Sequence, residues 1–294
     1  MLRAVVLLAF AALTSAAFAG PQMVAFDREG AICVAALDQP KPRKLAKGAW
    51  PQISPDGARV AFNTDGPGND TRRSIAVADV ATGKATLFKD VPSDNCYGPV
   101  WSPDGRQIAF YIYKEDEWHI GLVDANGSHF RYLWKSDRKN HTLWSVAWAP
   151  DGQSFFAEDL DTIYQVGPDG KTLAQWSVEK TFPNGGLSSG SHLAPSPDGK
   201  SLLVDVDMGE DVTREDWDGP PPSIWRLDLA TGKAERISKP DQYLWEPAWI
   251  NDREILCNGL PVGSKDFSLF RLPATGGKPA LWVKNARSAS VSRE

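Results

Sequence analysis

The chain has 294 residues, of which 42% are hydrophobic and 23% charged, and its formal net charge is -5. This acidic balance excludes nucleic acid or an anionic membrane surface as the main partner. Beyond the N-terminus no second long apolar run exists, so no membrane insertion is expected of the remainder.

The opening stretch MLRAVVLLAFAALTSAAFAG carries one Arg, an apolar run and Ala17-Phe18-Ala19. A short basic region, an apolar core and an A-x-A site together read as a signal peptide, residues 1-19. No Cys stands at the cleavage point, which argues against a lipidated end. Residues 20-294 then form a single exported domain, periplasmic or secreted. The cysteines Cys33, Cys96 and Cys257 are odd in number, so an oxidising compartment leaves at least one thiol unpaired. All three lie on or beside predicted strands and read as buried apolar thiols. One disulfide is the alternative, which spacing alone does not assign.

Further along, one pattern recurs. WPQISPDGARVAFNT starts at Trp50, GPVWSPDGRQIAFYI at Gly98, SVAWAPDGQSFFAED at Ser145, HLAPSPDGKSLLVDV at His192 and EPAWINDREILCNGL at Glu246. The shared Asp falls at Asp56, Asp104, Asp151, Asp198 and Asp252. Asp-Gly between apolar runs marks a hairpin, because Gly accepts positive φ and Asp bonds the local backbone. A second hairpin follows in each unit, as in SIAVADVATGKATLF from Ser74. Helical periodicity is absent after the leader. Four strands in a unit of about 45 residues predict an all-β propeller of four-stranded blades. Five units are complete and the sixth is split. Residues 22-45 look like three strands of a blade, and residues 286-294 align with its missing first strand. Pairing of that C-terminal strand into the N-terminal blade closes a ring of six.

In the loop between blades four and five, Gly186-Leu187-Ser188-Ser189-Gly190 spells G-x-S-x-G. A nucleophile elbow needs a strand before the serine and a helix after it. Here an inner strand follows, so Ser188 reads as part of a Gly/Ser-rich connection. Residues 205-222 form an acidic insertion between the second and third strands of blade five, with Asp205, Asp207, Glu210, Asp211, Glu215, Asp216 and Asp218. It lacks ordered EF-hand spacing, so a solvated loop is favoured over a calcium site. No P-loop, dinucleotide fingerprint, CxxC pair or HExxH is present, and neither a cofactor nor a metal is expected. The four histidines, His119, His129, His141 and His192, do not form a predicted cluster, though His141 and His192 could approach one face.

The motif x-W-S-P-D-G-x-x-I-A-F, best kept at Trp101-Phe110, resembles the TolB-like, or WD40-like, β-propeller family over nearly the whole chain after the leader. The resemblance implies a periplasmic protein that binds partners, as in the Tol-Pal system of the cell envelope. It departs from the family by lacking the α/β domain that precedes the propeller there. Capture of a Pal-like lipoprotein by the propeller face is still compatible with it.

In such a ring the first strands line a channel, and residues just before the motif gather at one mouth. The candidate ligand-binding set is Trp50, Tyr97, Trp144, His192, Trp245, Glu246 and Arg287. Large aromatics with a few polar groups suit recognition of a protein or peptide. Packing between blades is the competing reading of these tryptophans. Trp101, Trp148 and Trp249, inside the motif, read as packing residues. The favoured function is a non-catalytic binding module. The alternative is an exported carbohydrate-active enzyme such as an oligogalacturonate-lyase-like protein, with His192 as base and Arg287 on a carboxylate. A scaffold using the blade rims is a third class.

Overall fold

The computed structural model describes residues 20-65, 72-136, 141-209 and 214-293. Residues 1-19, and with them the expected leader, lie outside this range, as do Glu210 and Asp211. The strands form antiparallel sheets arranged as six blades. Blade 1 holds Met23–Arg28, Ala31–Ala36 and Gln39–Lys47, and blade 2 holds Ala49–Ile53, Arg59–Asp65, Arg73–Asp79 and Ala85–Leu87. Blade 3 follows with Cys96–Trp101, Gln107–Lys114, Glu117–Asp124 and Arg131–Trp134, and blade 4 with Trp144–Trp148, Phe155–Glu158, Thr162–Val166 and Thr172–Ser177. Blade 5 comprises Leu193–Pro195, Ser201–Met208, Pro222–Asp228 and Ala234–Arg236, and blade 6 Leu244–Asn251, Glu254–Gly259, Ser268–Pro273 and Ala280–Lys284. The last strand, Arg287–Val291, pairs with Met23–Arg28 and completes blade 1.

The closure is held from both sides. Ser292 N–H donates to Met23 O at 2.8 Å, and Met23 N–H donates to the Ser292 hydroxyl at 2.8 Å. Ser290 Oγ accepts Ile53 N–H of blade 2 at 2.8 Å. Each seam between neighbouring blades carries its own apolar cluster. At the closing seam Val24 and Phe26 meet Leu256 and Leu269, and between blades 2 and 3 Ala61 and Ile75 meet Ile108 and Phe110. The core is therefore a set of seams around an axis.

The repeated turns follow from their sequence. Asp104 Oδ1 accepts the Ser102 hydroxyl at 2.6 Å and Arg106 N–H at 3.0 Å, while Gly105 takes φ +68. Asp56 and Asp198 repeat the same contacts. Blade 6 differs, because its turn is tighter. There Asn251 accepts Arg253 N–H at 2.9 Å, so Asn251 and not Asp252 has the turn-forming role.

Cys33, Cys96 and Cys257 are free and buried, in blades 1, 3 and 6. One helical turn, Val178–Thr181, stands where no helix was expected. Val178 and Phe182, four residues apart, bury their side chains against Val206 and Met208 of blade 5, and this packing selects the turn. Among the described residues no helix is long and apolar enough to cross a membrane.

Candidate functional site

The site begins with an irregularity shared by the inner strands. Ala49 pairs with Asn63 and Gln52 with Ala61, so three steps on the inner strand face two on the second. The same offset occurs at Tyr97/Val100, Trp144/Ala147, Trp245/Ala248 and Arg287/Ser290. Each is a β-bulge, and its extra residue lies in the left-handed region: Trp50 (φ +50), Gly98 (+64), Ser145 (+60), Glu246 (+48) and Ser288 (+52). In blade 5 the inner strand breaks instead. Gly185 and Gly186 pair with Met208 and Asp207, the chain leaves the ladder, and it returns at Leu193 opposite Val204. The G-x-S-x-G segment is this excursion. A strand, not a helix, follows Ser188, whose N–H donates to Ser191 Oγ at 3.1 Å.

A bulge turns backbone N–H groups out of the ladder, and a buried one without an acceptor is costly. Here one buried polar residue per blade stands at the matching place on the second strand: Asp27, Asn63, Tyr111, Glu158, Asp205 and Asn258. Asn63 Oδ1 accepts Gly98 N–H of blade 3 at 2.9 Å, and Tyr111 Oη accepts Val146 N–H of blade 4 at 2.7 Å. Asp205 accepts His192 N–H in its own blade and Glu246 N–H of blade 6 at 3.1 Å. Asn258 Oδ1 accepts Ser288 N–H of the closing strand at 2.9 Å. Between blades 4 and 5 the link runs through Ser145, whose hydroxyl lies 3.1 Å from Glu158 Oε1 and contacts Ser191 O. Thus the bulges at Gly98, Ser145, Glu246 and Ser288 are tied to the neighbouring blades. Sequence reasoning missed the role of these six residues, and Asp205, expected at the start of the acidic insertion, is instead buried in the strand Ser201–Met208. Their signal is a polar side chain directly after each apolar triplet, as in Val60-Ala61-Phe62-Asn63 and Val24-Ala25-Phe26-Asp27.

Glu158 is fully buried, and burial pushes its carboxyl up to about 7 against hydrogen bonds from Leu160 N–H and Ser145. The geometry agrees. Ser145 has one hydroxyl proton; if Ser191 O takes it, Glu158 must carry its own proton to bond Ser145. An unfolded glutamate releases that proton near 4.5. Native Glu158 thus stabilises the fold fully below that value, and the contribution falls away as pH rises through about 7, by up to about 3 kcal/mol. Urea unfolding across this range should show the decline, and Glu158→Gln should flatten it. An unchanged slope in the variant would assign the decline to other groups.

A cavity of about 690 Å³ follows the ring axis. Trp50, Tyr97, His192 and Glu246 line it at one mouth, and Pro55, Pro103, Pro150 and Arg293 at the other. Trp50 is 42% exposed, and its ring centroid lies 5.7 Å from that of Tyr97. Arg73 lies over the Tyr97 ring at 4.7 Å. Burial within the wall lowers the His192 imidazole, but Glu246 and Asp205, whose Oδ2 is 3.7 Å from Nδ1, together raise it to about 9. Half of its side chain is still exposed toward the channel.

The structure brings four of the seven candidate residues, Trp50, Tyr97, His192 and Glu246, onto the cavity wall. Trp144 stands behind it against Tyr111 and Trp118, with centroids 6.0 and 6.3 Å away. Trp245 packs on Trp217 and Phe267 at 5.5 and 5.1 Å. Arg287 Nη2 is 3.6 Å from Asp27 Oδ2. Trp101 and Trp249 donate their indole N–H to Gln52 O and Ala194 O of the preceding blades, at 2.9 and 2.8 Å. These tryptophans join blades and also line the cavity.

His141 pairs with Asp159 at 3.1 Å, and His119 and His129 bond elsewhere, so no histidine joins His192 at the mouth. Among the described residues no three His, Cys, Asp or Glu side chains are placed to hold a metal. The acidic insertion is pinned to blade 6: Arg214 holds the Asp216 carboxyl down to about 2 through a 2.7 Å bond and also donates to Leu260 O.

No protein-family model matches the chain. A segment of 124 residues, 40% of the chain, is 29% identical to dipeptidyl-peptidase 5 of Porphyromonas gingivalis and spans 18% of that protein's length. The crystal structure of TolB from Acinetobacter baumannii superposes on 93% of the chain and 67% of its own, with TM-score 0.65 and 16% identity. A putative TolB from Agrobacterium tumefaciens superposes on 90% of the chain and 89% of its own, with TM-score 0.65 and 17% identity. The chain has the closed six-bladed β-propeller fold of these TolB structures.

Proposed function

We propose that the protein is a non-catalytic binding module, periplasmic or secreted, that holds a segment of a cell-envelope protein at the channel mouth lined by Trp50, Tyr97, His192 and Glu246. The observation that carries this reading is the contrast between the two ends of the channel. One end gathers aromatic and ionisable side chains at or beside the irregular inner-strand positions, where buried side chains accept the N–H groups of Gly98, His192 and Glu246, and the other carries the prolines of the hairpin turns. Side chains already held in place lose little freedom on binding, which favours affinity. Trp144, Trp245 and Arg287 support the wall from behind in this reading.

Affinity capture from an envelope extract tests it, with Trp50→Ala/Glu246→Gln as the control. The expected result is a partner retained by the wild type and lost by the variant at unchanged melting temperature. A partner held equally by both would place binding elsewhere. The match to dipeptidyl-peptidase 5 favours a second reading, in which the propeller serves peptide hydrolysis. Release of dipeptides from longer peptide substrates by the purified chain would replace the first reading with the second.

A further inference from the structure

The chemistry of the mouth says more about what enters it. In ring order Trp50 of blade 2 faces His192 of blade 5, and Tyr97 of blade 3 faces Glu246 of blade 6. Five charged groups bear on the His192–Glu246 side of the mouth or lie just behind it. Arg287 is paired with Asp27. Asp205 has both oxygens engaged by backbone N–H groups, and the His192 imidazole lies beside it. Glu246 accepts Asn258 Nδ2 on Oε2 at 2.8 Å, and its Oε1 has no hydrogen-bond partner among the described residues. With one imidazolium beside two carboxylates, one negative charge is left over, and it sits on a cavity wall facing aromatic rings. Arg73 stands outside this balance, stacked on Tyr97 and bonded to Asn95 Oδ1 at 2.8 Å.

From this arrangement we infer that the mouth accepts a basic side chain, lysine or arginine, of the bound peptide. Its cation sits against Glu246 Oε1, and its aliphatic stem lies along Trp50 and Tyr97. A carboxylate with an open oxygen gives a charge-assisted hydrogen bond, and an aromatic face attracts a cation through its quadrupole. An anionic side chain would meet Glu246 at the same place and be repelled. The inference rests on the mouth being the binding site.

The test uses capped tripeptides, acetyl-Gly-Xaa-Gly-amide with Xaa Arg, Lys, Gln or Glu, titrated into the full chain. The readout is the Trp50 indole NMR signal, assigned through Trp50→Phe. The Arg and Lys peptides are expected to bind about tenfold more tightly than the Gln peptide at low salt, and salt should erode the difference. Glu246→Gln should remove the preference for Arg and Lys over Gln while leaving the melting temperature in place. Equal shifts with all four peptides, or a preference that survives Glu246→Gln, would overturn the charge assignment while leaving the mouth as a binding site. A preference for the Glu peptide would overturn it in favour of His192 as an anion contact. No shift with any peptide would overturn both this assignment and the mouth as the site.

Discussion

Removal of residues 286-294 is expected to abolish the soluble folded state. Those residues include the inner strand of blade 1, whose pairing partners are Val24, Ala25 and Asp27. Without them the edge of Met23–Arg28 is bare, and its centre is the apolar run Val24-Ala25-Phe26. An unpaired apolar edge is a template for aggregation. The loss reaches blade 2, since Ile53 N–H loses the Ser290 hydroxyl, and blade 6, since Ser288 no longer meets Asn258. Circular dichroism and size-exclusion chromatography should show aggregated or unfolded chain. A circular permutant that keeps Arg287–Val291 next to Met23 should recover the cooperative transition. A shortened chain that melted like the full one would refute closure by this strand.

Asp205→Ala is expected to destabilise the protein by about 3-5 kcal/mol. Asp205 is buried, and its two oxygens accept backbone N–H groups from His192 and from Glu246 across the blade 5-6 seam. Alanine leaves both donors without an acceptor and takes the counter-charge from His192. Asp205→Asn keeps one acceptor and should lose about half as much. Asp198→Ala, in an exposed hairpin turn, should cost only about 1 kcal/mol. Urea unfolding of the three variants checks the order. An Asp205→Ala protein as stable as Asp198→Ala would mean that the bulges do not depend on the polar ring.

The blade count and the closure were legible because the Pro-Asp-Gly turn and its flanking strands repeat in register, down to Val291 standing where Trp101 stands in its own blade. The turn in blade 6 was misassigned to Asp252 because it is shorter than the others. The one-turn helix at Val178–Thr181 was hidden, since two apolar residues four apart are too few to show a helical period. The mouth was partly legible. Its residues precede the motif by a fixed interval, but the bulge decides which side chains reach the channel. In blade 3 the bulge residue is Gly98, so the neighbouring Tyr97 ring fills the wall. In blades 4 and 6 Ser145 and Glu246 occupy that place, and Trp144 and Trp245 pack behind. The polar ring escaped notice because Asp, Asn, Tyr and Glu share only a position. Their common task, accepting or relaying a hydrogen bond at a bulge, exists only once neighbouring blades are side by side.

The most direct test of the central claim is site-specific photocrosslinking. A photoreactive phenylalanine analogue would be placed at Trp50, at Ser288, or at Leu173 on the outer edge of blade 4, and exposed to an envelope extract. Binding at the mouth predicts one shared crosslinked partner from Trp50 and Ser288 and none from Leu173. A partner crosslinked from Leu173 but from neither mouth position would contradict it.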